Sequence, residues 1–213
     1  MKYQTSNIRE DPNIGLYGFA TDKYCLLGRK AGVEKTLNVR EKISTAYTIE
    51  LSGIFITGNS SGIMAPESIE DEEKEKLEKI TEVLFIDTNF TALGNLCVMN
   101  DSGILISGLL RKHKNEIEKF FGLKTETATV ARSKVIGTCV AATNRGCIFH
   151  PKTTEAEQKI IEKIMDVSGM PGTVSFGSPF VKAGILANSR GFATSKQTSG
   201  HELGRISEAL GFV

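Results

Sequence analysis

The sequence has no tryptophan and only four cysteines and three histidines among its 213 residues. The cysteines contain no C-x-x-C pair, and they are too few for a disulfide framework in a chain of this length. Neither the cysteines nor the histidines have the spacing of zinc ligands. We therefore expect reduced thiols, no metal and no cofactor.

The sequence also lacks an excess of either charge and any long apolar run. Its 26 lysines and arginines face 25 aspartates and glutamates, so whole-chain charge gives no support for a strongly electrostatic grip on nucleic acid, although a local basic patch stays possible. No apolar run approaches the roughly 20 residues that span a bilayer, and the polar start lacks the apolar core of a signal peptide. These absences predict a cytoplasmic protein without membrane contact.

A glycine-containing turn recurs along the chain at intervals of 41 to 45 residues. Three of these turns have the pattern N-x-x-G. The residue nine positions before the turn glycine is a second glycine in three copies and Lys182 in the fourth. A degraded first copy runs from Gly15 to Tyr24. The turn glycines are Gly62, Gly103, Gly146 and Gly191, and the upstream glycines are Gly53, Gly94 and Gly137.

Each repeat reads as strand, turn, strand, helix, strand. Short apolar runs such as Ile54–Ile56 lie on both sides of each turn, which is the pattern of a hairpin. A capping signal then opens an amphipathic helix, at Ser68, Thr154 and Ser199. The last strands are predicted at Val83–Ile86, Thr125–Val130 and Gly172–Phe176.

One such unit cannot bury its own apolar surface, because a single helix covers its short strands. Five units can close into a ring with sheets inside and helices outside, which also limits exposed sheet edges. The sequence therefore predicts an α/β fold of five pseudo-symmetric repeats around a central axis. We expect one domain over residues 1–213, with approximate repeats at 1–45, 46–88, 89–131, 132–176 and 177–213.

Several ordered stretches resemble the translation initiation factor 6 family, in its archaeal form, over essentially the whole chain. Single pieces are weak signals, but their order and spacing make the set specific. They are Ala92–Asn95 with Asn100–Asp101, Asn144–Cys147 with His150–Thr154, Ala187–Gly191, and Thr198–Leu203.

The resemblance implies a pentein fold, a β/α propeller, in agreement with the repeat count. It implies binding to the intersubunit face of the large ribosomal subunit, near the sarcin–ricin loop of its RNA, and prevention of premature association with the small subunit. It also implies a part in large-subunit maturation and release by a GTPase related to elongation factor 2. The chain is expected to act as a monomer and not as an enzyme.

The candidate contacts lie mainly where each repeat enters its first strand, because loops on a rigid scaffold commonly carry recognition. Asn95 is the preferred contact, since it is polar, follows a glycine and belongs to the family's Leu-Gly-Asn. The glycines suit either close docking or crowding around the axis. The full set of candidates is Gly53, Ile54, Asn59, Gly94, Asn95, Thr138, Cys139, Ala183 and Leu186.

Two alternatives remain at this stage. Other penteins are hydrolases or transferases that attack a guanidino compound with a cysteine nucleophile, and Cys147 with His150 has a tempting C-x-x-H spacing. Residues three apart in a strand point to opposite faces, which disfavours that pair. The chain could also be an interaction ring without a ribosomal role, and the basic run Arg111–Lys114 could touch RNA or simply begin an exposed helix.

Overall fold

The computed structural model describes residues 2–213 and contains five separate three-stranded sheets around one axis. In every sheet the two strands of a hairpin pair antiparallel, and the third strand pairs parallel with the second; in the first four units a helical crossover connects these parallel strands. The predicted five-unit α/β fold is confirmed. The strands are β1 Tyr3–Thr5, β2 Gly18–Ala20, β3 Tyr24–Leu27, β4 Arg40–Ile43, β5 Thr57–Gly58, β6 Ile63–Pro66, β7 Val83–Ile86, β8 Cys97–Met99, β9 Ile104–Ser107, β10 Thr125–Ala128, β11 Val140–Ala142, β12 Cys147–Phe149, β13 Gly169–Pro171, β14 Ile185–Ala187 and β15 Phe192–Thr194.

The N-terminal strand closes the ring. β1 pairs parallel with β15, with Tyr3 opposite Phe192 and Thr5 opposite Thr194, so the fifth sheet takes its third strand from the other end of the chain. The third strand that the sequence places at Gly172–Phe176 lies instead at Gly169–Pro171. The residues that follow form a tight loop, in which Ser175 and Phe176 have left-handed backbone angles incompatible with a strand.

Two kinds of helix alternate along the chain. A helix that we call the crossover helix follows the second strand of each unit and, in the first four units, connects it to the third strand; single helical turns precede each hairpin. The crossover helices are α1 Glu34–Leu37, α3 Asp71–Glu78, α5 Lys114–Phe121 (preceded by a 3-10 segment, Gly108–His113), α7 Glu155–Met165 and α8 Gly200–Ala209. The single turns, here called the ring turns, are Ile14–Tyr17, α2 Ser52–Phe55, α4 Leu93–Leu96, α6 Ile136–Cys139 and Val181–Gly184.

The ring turns correct one sequence expectation. Ile54–Ile56 is predicted as a strand, but Ile54 and Phe55 lie in α2 and the strand begins only at Thr57. Cys139 likewise ends α6, and the strand that follows begins at Val140. Apolar runs this short do not distinguish a strand from a buried helical turn.

The caps of the crossover helices follow the sequence in two of three cases. Thr154 with Glu157 and Ser199 with Glu202 form complete capping boxes. The prediction for Ser68 is wrong, because Glu70 caps α3 and exchanges hydrogen bonds with Glu73. The Ser68 hydroxyl instead lies 2.6 Å from that of Tyr47.

The apolar core is divided among the junctions between units. Each of the five buried clusters draws on neighbouring units; one, for example, joins Met64 and Ile86 of the second unit to Ile104 and Ile117 of the third. The cluster with Leu27 and Leu186 joins the first unit to the fifth. No unit therefore holds its core alone, as the repeat pattern predicts. No helix in residues 2–213 is long and apolar enough to cross a membrane.

Candidate functional site

The five ring turns pack against one another around the axis, and glycine is needed for that packing. A Cβ on Gly94 would lie 2.1 Å from the carbonyl oxygen of Gly53, and one on Gly137 would lie 2.1 Å from that of Gly94. A Cβ on Gly53 would meet the Gly15 carbonyl oxygen at 2.5 Å. The repeated upstream glycine is therefore explained by crowding at the axis.

Each ring turn has at its centre one of the repeated upstream positions, and the residue after it lies at one end of the ring. The upstream positions are Gly15, Gly53, Gly94, Gly137 and Lys182. The five residues that follow them are uncharged and partly exposed, and they form a surface that we call the ring-turn face. The side-chain amide of Asn95 makes no hydrogen bond to another residue within 2–213, so both its donor and its acceptor are free for a partner. The five residues are Leu16, Ile54, Asn95, Thr138 and Ala183.

The other candidates have buried side chains or none. Gly53 and Gly94 are buried at the axis, and Cys139 and Leu186 belong to core clusters. Asn59 lies in a hairpin turn at the far end of β5, where its Oδ1 accepts the Ser61 amide at 2.9 Å. Of the nine candidates, the structure thus brings Ile54, Asn95, Thr138 and Ala183 together on one face.

A rim of exposed apolar residues beside this face is not evident from the repeat pattern. Val135 and Phe180 occupy equivalent positions immediately before two neighbouring ring turns, and both are exposed. The Phe180 ring packs edge-to-face on His150 at a centroid distance of 6.0 Å. Phe176, on the loop that enters the fifth unit, is 86% exposed. Exposed aromatic groups of this kind are typical of interaction surfaces.

The loop that carries Phe176 is held rigidly by a carboxylate. Oε1 of Glu202 accepts the amide of Gly177 at 2.8 Å, and Oε2 accepts those of Phe176 at 3.1 Å and Ser199 at 2.8 Å. Glu157 and Glu73 hold the corresponding loops of the fourth and second units in the same way. Each carboxylate therefore both caps its own helix and fixes the loop that enters its unit.

The axis itself contains a small cavity of about 40 Å³, lined mostly by small and apolar residues. Lys182, which replaces the ring glycine in the fifth unit, directs its ammonium group into this region and donates to the carbonyl oxygens of Gly18 at 3.0 Å and Gly15 at 3.3 Å. Burial lowers the pKa of Lys182 to about 8. The Lys182 side chain therefore links the fifth unit to the first. A glycine at this position could not donate these two hydrogen bonds.

The thiols do not have the surroundings of a nucleophile. All four are buried, and burial raises the pKa of Cys147 to about 12 and raises those of Cys25, Cys97 and Cys139. A reactive cysteine needs the opposite, an accessible thiolate with a lowered pKa. The His150 imidazole is engaged in a local hydrogen bond, because its Nδ1 accepts the amide of Lys152 at 3.0 Å.

Within residues 2–213 no three histidine, cysteine or acidic side chains are placed to hold a metal ion. The polar groups at the opposite end of the axis serve the fold instead. Nδ2 of Asn100 donates to the carbonyls of Thr143 and Met165, and Nδ2 of Asn188 donates to those of Thr21 and Leu37. The N-x-x-G asparagines thus link each hairpin turn to the next unit.

Comparison with known proteins identifies similar proteins over nearly the whole chain. The model of the eIF-6 family matches residues 3–209. The chain is 33% identical to translation initiation factor 6 of Pyrococcus horikoshii and 33% identical to that of Thermococcus onnurineus, each over the full length of both proteins. It is 31% identical to translation initiation factor 6 of Methanocaldococcus jannaschii over 95% of each chain.

Proposed function

Because the chain belongs to the eIF-6 family, a family of translation initiation factors, we propose that it binds the large ribosomal subunit and sterically prevents premature association with the small subunit. The protein would act in the cytoplasm as a single-domain monomer without catalysis. A part in large-subunit maturation, and release by a GTPase related to elongation factor 2, belong to the same proposal. The relatives' names supply the translation role, and the ring-turn face supplies a means of binding.

The observation that carries the proposal is the free amide of Asn95 on an uncharged face with an aromatic rim. A standard protein interface covers about 800 Å² on each partner, and the chain has 9551 Å² of accessible surface, so one end of the ring is large enough. Amide groups and aromatic side chains are suited to contact with protein and with RNA bases near the sarcin–ricin loop. Ile54, Thr138 and Ala183 complete the proposed contact surface around Asn95.

The absence of charge from these contacts has a consequence for binding. A surface that neutralises few phosphates releases few counterions, so affinity for the large subunit should depend only modestly on salt. A slope near −10 for log affinity against log salt is typical of a protein with many phosphate contacts, and it would contradict a docking surface that neutralises few phosphates.

Substitution of Asn95 tests the site directly. Asn95→Ala should weaken binding to isolated large subunits in co-sedimentation by about fivefold or more, because truncating one of the few central residues that dominate an interface costs more than about 1 kcal/mol. Asn115→Ala, at an exposed position on α5, is the matched control and should bind as the wild type does. Equal binding by both variants would show that the ring-turn face is not the docking surface.

A further inference from the structure

The hairpin turns form the opposite end of the ring, and three of them carry an exposed basic residue at the third position. Lys23, Arg145 and Arg190 belong to the first, fourth and fifth units, which are neighbours because the ring closes between the fifth and the first. The equivalent residues of the other two units are Ser61 and Ser102. The basic residues therefore lie on one side of this face.

Arg190 and Lys23 are held beside the same turn. Nη1 of Arg190 donates to the carbonyl oxygen of Asp22 at 2.6 Å, next to Lys23 in the chain. The Asp22 carboxylate is already engaged, since it accepts the Ser189 amide at 2.8 Å and Nδ2 of Asn144 at 2.9 Å. These bonds fix the fourth, fifth and first units together beneath the basic side chains.

Lys2 and Arg145 converge on a second point, the ring of Phe212. Nζ of Lys2 lies 5.9 Å from the ring centroid and donates to the Phe212 carbonyl at 3.0 Å. The Arg145 guanidinium lies 5.4 Å from the same centroid and donates to the carbonyl of Gly211. The backbone of Lys2 also accepts the amide of Phe192, so this pair is continuous with the turn that carries Arg190. We call Lys2, Lys23, Arg145 and Arg190 the basic arc.

The arc has more cations without an ion pair than the other basic run of the chain has. None of its four side chains forms an ion pair within residues 2–213, and the carboxylates of Asp22 and Asp101, which both accept Nδ2 of Asn144 on the same face, offset part of the charge. In the run Arg111–Lys114, Lys114 pairs with Glu126 at 3.3 Å and His113 lies 3.1 Å from Glu116, so only Arg111 and Lys112 are cations without an ion pair in the described part of the chain. Because four cations lie beside two carboxylates, this side of a nearly neutral protein has a local positive field.

We propose that the basic arc binds the phosphodiester backbone of a structured RNA. Arginine and lysine side chains aligned along a surface match the regular spacing of phosphates, and guanidinium groups can donate two parallel hydrogen bonds to one phosphate. The first strand of each hairpin runs from the ring-turn face to the hairpin turns, so the arc lies at the other end of the axis from Asn95. It stays exposed when the ring-turn face is occupied, and this RNA contact is separate from the proposed docking site.

Fluorescence anisotropy with a labelled RNA hairpin and the full chain tests the proposal. Because about 0.9 counterions are released per phosphate neutralised on a duplex, four contacts predict a slope of about −3 to −4 for log affinity against log salt. The variant with Lys23→Gln, Arg145→Gln and Arg190→Gln should bind about 10- to 100-fold more weakly at low salt. Its salt dependence should be shallower, with the magnitude of the slope reduced by about three.

A charge-matched control separates the arc from overall charge. Lys76→Gln with Lys119→Gln and Lys163→Gln removes the same charge from exposed positions on α3, α5 and α7, and it should bind RNA as the wild type does. Lys23→Gln alone, at a side chain without a hydrogen bond to the rest of the chain, should reduce the slope by about one without affecting folding. Absence of RNA binding, or equal losses in the arc and control variants, would overturn the proposal.

The same variants keep this inference distinct from the proposed function. The arc variant should sediment with large subunits as the wild type does, whereas Asn95→Ala should retain RNA-hairpin binding. Loss of subunit binding in the arc variant would mean that the arc is part of the docking site and would refute the separate contact.

Discussion

Three glutamates each perform two structural tasks at the residue scale. Glu73, Glu157 and Glu202 occupy the third position of their helices and also accept amides from a loop with two consecutive left-handed residues. Left-handed backbone is unfavourable for residues other than glycine, and amides that converge on a carboxylate offset that cost. Their sequence signature is the capping box alone, which does not reveal the second task.

Glu202→Gln should therefore destabilise the protein by about 2–3 kcal/mol, because the amide group of glutamine cannot accept all of the hydrogen bonds now made to the two carboxylate oxygens. Thr173 Oγ1 and the amide of Gly177 donate to one oxygen, and the amides of Phe176 and Ser199 donate to the other. Glu208→Gln, at an exposed position of the same helix, should change stability by less than about 1 kcal/mol. Urea unfolding of the two variants measures the difference.

These carboxylates should also make stability sensitive to acid. Burial opposes their ionisation, but the hydrogen bonds to Thr45, Thr154 and Ser199 and to the loop amides prevail, and the pKa values of all three glutamates are lowered. A lowered folded pKa contributes stability that is present above the unfolded value, about 4.3, and is lost as the pH falls through the folded value. The urea concentration at the unfolding midpoint of the wild type should therefore decrease as the pH is lowered below about 4.5. The decrease should be less steep in Glu202→Gln. Parallel pH curves for the two proteins would contradict this assignment.

At the scale of elements, the sequence predicts what local chemistry decides. The capping boxes at Thr154 and Ser199 and the N-x-x-G turns are correct because a few neighbouring residues determine each of them. The segment around Ile54 is wrong because the choice between a strand and a helical turn depends on packing against neighbouring units. The sequence alone does not decide whether the upstream glycines serve docking or packing. The close contacts between neighbouring ring turns show that packing requires them.

The ring turns give a direct test of that crowding. Gly94→Ala should destabilise the protein by more than about 3 kcal/mol or prevent folding, since the new Cβ would lie 2.1 Å from a backbone carbonyl oxygen that cannot move aside alone. Gly204→Ala is the matched control in α8, where a Cβ meets nothing within 4 Å. It should stabilise the protein by about 0.5–1 kcal/mol through helix propensity. Similar thermal unfolding of the two variants would show that the ring turns are not tightly packed.

At the scale of the whole molecule, closure depends on contacts between residues far apart in the chain. The five-unit ring could be predicted because the repeat spacing and the exposed apolar faces of one unit require it. The place of β1 in the fifth sheet could not, since nothing local to residues 3–5 indicates a partner near residue 193. The family motif in the sequence proposes Asn95 as a contact, and the structure leaves its side chain partly exposed; the sequence also proposes Cys139 and Leu186, whose burial only the assembled ring determines.

The measurement that tests the central claim most directly is sucrose-gradient sedimentation of separated ribosomal subunits mixed with and without the protein at physiological magnesium. The account predicts that the protein travels with the large subunit and that the fraction of joined ribosomes falls as the large subunit becomes saturated. Asn95→Ala should restore joining at the same protein concentration, and Asn115→Ala should not. If the wild-type protein stays at the top of the gradient while the subunits join normally, the account of a ribosome-binding ring is contradicted.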